Sequence, residues 1–217
     1  METAVTSQYR EAIEHLPPGG MLVVQNVTWE EYEHLLDELA DRPGVRVTYD
    51  QGRLQAVSPL RAHEHYARIM EVIGDLAAEA LDLPFESMGA TALRQVKGLR
   101  GVEPDDCFYI TNEQRIAGKV TLDLESDPPP DIVVEVDLST DSGAKLPIYA
   151  AMGVPEIWFY NGRRAKILEL GPSGYVERQE SKTLPLTTVA VLEHFLDLSK
   201  THGKRAIRRL FSASLKP

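Results

Sequence analysis

The chain is nearly free of cysteine: Cys107 is the single thiol in 217 residues. That excludes an internal disulfide framework and any zinc site built on cysteines, and it suits a reducing compartment. No uninterrupted apolar run approaches membrane-spanning length. The first twenty residues carry several acids and no long apolar stretch, so they do not read as a secretory signal. The expected location is the cytoplasm, with no membrane contact. Also missing are a Gly-x-x-x-x-Gly-Lys-Ser/Thr phosphate loop, a dinucleotide fingerprint and a Gly-x-Ser-x-Gly elbow. Internal repeats and low-complexity stretches are absent as well.

Positive charge is scarce overall. The formal net charge is −10, which argues against broad electrostatic attraction to nucleic acid. The imbalance is uneven, because six Lys or Arg and no acid follow from Lys200 onward. A second basic cluster, Arg94, Lys97 and Arg100, lies in a Gly-containing stretch. What is present otherwise is ordinary for a globular protein: 43% apolar and 26% charged residues, in a chain long enough for one sizeable core.

Residues 1–20, ending Pro17-Pro18-Gly19-Gly20, read as a loosely attached arm. Residues 21–199 read as the domain, and 200–217 as a basic tail. Thr28 with Glu31 three residues on forms a capping box that opens a helix to about Ala40. Alternating residues at 45–49 and 53–57 around Gln51-Gly52 predict a β-hairpin. An amphipathic helix follows over about 60–81. Further strands are expected at 85–88, 91–96, 107–110, 131–138, 156–160, 165–170 and 175–179. Helices are expected near 145–152, 188–199 and 203–212. Most strands are joined by hairpins, so the fold class is α+β: a mixed, mainly antiparallel sheet flanked by helices.

The chemistry concentrates in Asp131-Ile132-Val133-Val134-Glu135-Val136-Asp137. Alternation puts Asp131, Glu135 and Asp137 on one strand face with Val133, and Ile132, Val134 and Val136 on the other. Crowded carboxylates repel one another and resist losing water. Two readings stay open on this pattern alone: a bound divalent cation, or an edge strand with a solvated acidic face. Asp105 stands in the turn Glu103-Pro104-Asp105-Asp106, about thirty residues earlier, and Lys145 follows at the start of a helix. Lys145, Tyr149 and Met152 share one helical face, so the lysine must snorkel or meet a carboxylate. Asp, Glu and Lys converging at a strand end suit a Mg²⁺- or Mn²⁺-dependent phosphodiesterase. Asp105 and Glu135 would hold the cation, and Lys145 would orient or help deprotonate its water. His63-Glu64-His65 does not read as a zinc site, because helical residues two apart diverge by about 200°. His63, at the edge of the apolar stripe, could face a cleft, whereas Glu64 points outward.

The order of motifs carries a resemblance. Tyr-Asp-x-Gly-x-Leu at 49–54, Ser58-Pro59, His63-Glu64, Glu103-Pro104-Asp105, Pro130 to Val136, Lys145, Tyr149 and Gly153-Val154-Pro155-Glu156-x-Trp158 follow one another over roughly 27–195. This resembles the Uma-two-type family, whose assignment as restriction endonucleases rests on a PD-(D/E)XK, restriction endonuclease-like fold. The resemblance implies a metal-binding Asp105, with Glu135 as the acid of the D/E-x-K element. Its lysine, displaced onto the following helix, would be Lys145. The chain departs from the general motif at Asp137, where lysine is usual, and this makes Asp137 a possible third ligand. The implied activity is endonucleolytic hydrolysis of DNA. Arg94, Lys97 and Arg100 are then candidate DNA contacts and His63 a candidate catalytic residue. The alternative is a catalytically silent nuclease-like scaffold acting as an interaction protein, which the net charge favours. The apolar strand Ile157-Trp158-Phe159-Tyr160 needs cover on both faces, either from a second layer of C-terminal helices or from a symmetric partner, and a two-fold homodimer is the expected assembly.

Overall fold

The computed structural model describes residues 9–39, 44–138 and 142–215. Among these residues eleven strands form two sheets. The first runs β1 (Met21–Val24), β3 (Arg53–Val57), β2 (Arg46–Asp50), β6 (Arg100–Val102), β5 (Leu93–Gln95) in spatial order. The second runs β11 (Gly174–Arg178), β10 (Ala165–Gly171), β9 (Glu156–Tyr160), β8 (Ile132–Val136), β7 (Asp106–Tyr109), β4 (Glu86–Ser87). All pairings are antiparallel except β8 with β9. The exception has a local cause: a helical crossover lies between those two strands, whereas hairpins join most others. The α+β class is therefore as expected, with two sheets where the sequence suggested one.

The first sheet carries its own small core. A helical turn, α1 (residues 9–14), and helix α2 (Trp29–Leu39) pack on it. The capping box that opens α2 is formed: Thr28 N–H donates to Glu31 at 2.7 Å, and Glu31 N–H to Thr28 Oγ1 at 3.2 Å. Trp29, Tyr32 and Tyr49 meet at ring distances of 4.9–5.5 Å. Gly101 permits this packing, since a Cβ there would lie 2.0 Å from the Tyr32 hydroxyl. The β2–β3 turn uses Gln51 and Gly52 with φ of 47° and 95°, the left-handed geometry of a tight hairpin. The segment expected as a loose arm packs within its described part: Ile13 is buried in this core, and Gly19 and Gly20 bond to Ser58.

The second sheet is covered on both faces. Helices α3 (Arg61–Ala80), α6 (Val189–Leu198) and α7 (Lys204–Ser214) bury Ile132, Val134, Val136, Trp158 and Tyr160. On the opposite face α5 (Leu146–Met152) buries Val133 and Ile157, while α4 (Glu113–Ile116) adds Ile116 to that core. α5 follows a 3₁₀ turn at Ser142–Lys145, accepts Pro147 in its first turn and ends at Gly153 with φ 77°. β8 is thus a central strand, not an edge, and its two faces divide as its alternation predicts. The basic segment after Lys200 is largely α7, docked on α3 through Ile207 and Phe211 with Arg208 2.7 Å from Asp75. Both faces of β9 are covered within one chain, so the apolar argument for a partner lapses.

Candidate active site

The chain crosses from one sheet to the other through Glu103-Pro104-Asp105, between the end of β6 and the start of β7. That crossing fixes Asp105 beside β8. Its N–H donates to the Val134 carbonyl at 3.1 Å, and its carboxylate accepts the Val136 N–H at 2.8 Å. Asp105 therefore brackets Glu135, the residue between those two, from the neighbouring strand.

Glu135 is 2% exposed, on the β8 face that meets α5. Its negative charge needs a partner there, and the start of the following helix supplies one. Lys145 Nζ donates to both Glu135 oxygens, at 2.9 and 3.0 Å, and to the Glu103 carbonyl at 3.2 Å. Tyr149, one turn further along, donates its hydroxyl to Glu135 Oε1. Burial pushes the Glu135 carboxyl above its ordinary value; the Lys145 charge opposes this and the Asp105 charge adds to it. Burial also raises Tyr149, and Glu135 raises it further. Glu103 is raised by burial, against the Val47 N–H at 2.9 Å and the charges of Arg46 and Lys145.

Beside them lies one small cavity of about 30 Å³, room for an ion or a couple of waters. Asp105, Glu135, Lys145 and His63 line it, with Arg46 and Thr48 from β2 and Gln55 from β3. His63 is 5% exposed. Its Nδ1 lies 3.0 Å from the Leu60 N–H and 3.1 Å from the Leu60 carbonyl, which ties the ring to the first turn of α3. His65 diverges, as helical spacing requires, and meets Ser199 at 3.2 Å.

The structure thus gathers four sequence-chosen residues. Asp137 lies just beyond β8, outside the residues lining this cavity, with its N–H on the Tyr160 carbonyl at 2.8 Å. Arg94, Lys97 and Arg100 lie on and between β5 and β6, away from the cavity lining. Lys97 pairs with Glu125 at 3.0 Å and Arg100 with Asp50 at 3.3 Å. Asp131 has a structural task, accepting the N–H groups of Ile110 and Thr111 at 2.8 and 3.0 Å. Sequence reasoning missed Arg46, for which no local pattern exists. It could have reached Tyr149, four residues after Lys145 on the same helical face.

Among the described residues, no cluster of three or more His, Cys, Asp or Glu side chains could hold a metal ion. A hard cation nevertheless suits the oxygen donors present. Among the described residues one Asp105 oxygen has no protein hydrogen bond, and a cation would favour the charged form of the buried Glu135 carboxyl. Two carboxylates suffice for Mg²⁺, which usually keeps several of its waters.

No curated protein matches the sequence. Among solved structures, the chain is similar to one described as a putative nuclease belonging to DUF820 from Anabaena variabilis ATCC 29413. The TM-score is 0.54 at 12% identity, covering 78% of this chain and 99% of that one. At that identity the likeness speaks for the fold, which is that of the nuclease-like neighbour. The sequence itself matches a family model over residues 29–201, from the start of α2 to just past α6. That span is most of the chain, and the protein accordingly belongs to the Uma2 family, described as "Putative restriction endonuclease".

Proposed function

We propose that this protein is a metal-dependent endonuclease that hydrolyses DNA phosphodiester bonds at the sheet crossing. The observation that carries this reading is the convergence of Asp105, Glu135, Lys145 and His63 on one cavity. Asp105 and Glu135 would hold Mg²⁺ or Mn²⁺. When bound, that cation lowers the pKa of a coordinated water and neutralises charge building on the phosphate. Lys145 favours the ionised form of Glu135 and holds it in place through two hydrogen bonds, and it would orient a water at the cavity. Tyr149 fixes the rotamer of Glu135 from the helix side. His63, on the cavity wall, would donate to a phosphate oxygen or to the leaving alkoxide. Asp137, off the cavity, is left out of the ligand set.

No described helix is long and apolar enough to cross a membrane. One such site cuts one strand, so a double-strand break calls for a two-fold homodimer or two successive events.

A second reading has an observation of its own. Lys145 and Tyr149 already satisfy Glu135 without a cation. The same residues would then brace a catalytically silent scaffold whose role is interaction. Purified protein incubated with plasmid and oligonucleotide DNA in Mg²⁺ and in Mn²⁺, beside Glu135→Ala, separates the two. Cation-dependent cleavage lost in the variant supports the nuclease. Absence of cleavage together with an unchanged melting temperature on adding either metal supports the scaffold.

A further inference from the structure

Beyond the cavity lie two open clefts, each sharing lining residues with the one before it. The first, about 320 Å³, shares Arg46, His63 and Asp105 with the cavity and reaches Arg61 and Glu64 at the start of α3. The second, about 330 Å³, shares Arg61 and Glu64 and runs to Arg68 and Lys204, where α3 meets the start of α7. Together they make a channel across the surface from the carboxylates to the C-terminal helix pair.

Its walls are basic in a molecule that is acidic overall. Arg61 and Arg68 are seven residues apart on α3, on one exposed stripe, and about 10 Å apart along the axis. That span matches about three nucleotides at 3.4 Å each. Arg61 forms no ion pair among the described residues. Arg68 pairs with Glu64 within the helix, and Lys204 with Glu71 at 3.6 Å. Exposed pairs of that kind are weak and exchange readily for a phosphate. At the inner end, Arg46 Nε is buried and has no hydrogen-bond partner among the described residues. A buried cationic donor without an acceptor is costly, and an anion in the adjoining cavity would satisfy it.

Building on the nuclease reading, we propose that this channel carries the phosphodiester backbone of the substrate strand. Arg46 grips a phosphate beside the cavity, and Arg61, Arg68 and Lys204 hold the phosphates that follow. The cations of the β5–β6 hairpin are not on this path, and two of them are engaged with acids. Arg46 is a positioning residue: it holds the chain of phosphates without touching the bond that breaks.

The test measures binding of a short fluorescein-labelled DNA duplex, and of either strand alone, in chelator at several salt concentrations. Cleavage in Mg²⁺ or Mn²⁺ is followed in parallel. Arg61→Gln/Arg68→Gln/Lys204→Gln, all exposed positions, should fold with an unchanged melting temperature. It should bind about tenfold or more weakly, with the slope of log K against log salt reduced by about 2–3. Arg46→Gln should lower kcat more than it raises KM, with partial rescue by Arg46→Lys. Glu64→Gln, which removes an acid from the channel, should bind several-fold more tightly, an effect that a merely structural residue would not give. If the triple variant binds and cleaves like the wild type, or if Arg94→Gln/Lys97→Gln/Arg100→Gln alone loses binding, the channel is wrong while the nuclease reading stands. Wild-type protein that neither binds nor cleaves DNA would overturn both.

Discussion

Two adjacent strands of the larger sheet each bury a glutamate to the same degree: Glu135 on β8 and Glu156 on β9 are both 2% exposed. Burial raises the carboxyl of each above its ordinary value. Their surroundings differ in kind. Glu156 accepts from Trp158 Nε1 at 2.6 Å and from the backbone N–H groups of Lys182 and Thr183 at 3.0 and 3.4 Å. Those donors are fixed and neutral, and they tie the segment after β11 to the sheet. Glu135 instead faces an ammonium group, a phenol and a second carboxylate at the wall of a cavity. Burial alone therefore does not mark a reactive carboxylate. Ionisable partners and space for a ligand do.

The largest expected effect of that difference is on catalysis. Glu135→Ala should reduce metal-dependent DNA cleavage by about 10³-fold or more, about 4 kcal/mol in the transition state. Glu156→Ala should leave cleavage per folded molecule near the wild-type value while lowering the melting temperature. Equal losses of activity at matched folded fraction would erase the distinction between the two strands.

Next in size is the partner of Glu135. Replacing Lys145 by Met leaves a buried carboxylate without its cation, a change that costs about 3–5 kcal/mol in comparable pairs. The loss should be greatest in neutral and alkaline buffer and shrink in acid, where Glu135 takes up a proton. Glu135→Gln/Lys145→Met should recover most of the stability, because no charge is then stranded. Urea melts of the four proteins read the coupling directly. A double variant as unstable as the single one would show that Lys145 contributes through packing and not through its charge.

The acidic groups also set a pH dependence. Asp106 is pushed by burial to about 7 from 3.8, against the Ser87 hydroxyl and the Cys107 N–H at 2.8 Å each. Glu135 and Glu156 are displaced in the same direction. A carboxyl whose folded value exceeds its unfolded value binds protons more tightly in the folded chain. Its contribution is therefore most favourable in acid and is lost as pH rises from the unfolded value through the folded one. Metal-free protein should lose stability progressively between about pH 4 and 7, apart from the counter-trend of surface ion pairs such as Lys182–Glu169. Asp106→Asn should flatten that decline by up to about 3–4 kcal/mol. Melting temperatures across the range check it, and a slope identical to the wild type would mean that Asp106 is ionised throughout. Mg²⁺ should act oppositely at Glu135, raising the melting temperature more at high pH, where the carboxylate it binds is free of protons.

Much of this was legible in the sequence where a single local rule sufficed. The capping box at Thr28, the Gln51-Gly52 hairpin, the alternation of β8 and the stop at Gly153 each depend on residues a few positions apart. The convergence of Asp105, Glu135 and Lys145 was also legible, because all three stand at the ends of recognisable elements. What local rules could not reach is contact between the sheets. β6 is only three residues long and contains Gly101, so it lacks a strand pattern, yet it pairs with β2 and aims Glu103-Pro104-Asp105 at β8. Without β6, nothing in the sequence brings Arg46 or Thr48 to the cavity. The basic loop illustrates the same limit: Arg100 is three residues from Glu103 in sequence, but the extended β6 between them separates the two by about 10 Å.

The smallest expected effect bears on Glu156 itself. Glu156→Gln keeps one carbonyl oxygen as acceptor but turns the other into an amide donor facing N–H groups of Trp158, Lys182 or Thr183. One bond is lost and one donor–donor clash arises, a cost of about 1–2 kcal/mol at pH 7. Part of that cost is offset, since the amide carries no buried charge and the glutamate does. The net change should therefore be small at high pH and larger in acid, where the wild-type carboxyl is protonated and has no charge penalty to relieve. Glu135→Gln in the metal-free protein loses the charge partner of Lys145 as well, so its cost should follow the fate of that lysine and not only its own pH. Urea melts of both variants at pH 5 and pH 8 compare the two directly. If Glu156→Gln responded to Mg²⁺ as the wild type does and Glu135→Gln did not, the neutral and charged surroundings of these two carboxylates would account for the difference between structure and chemistry in this sheet.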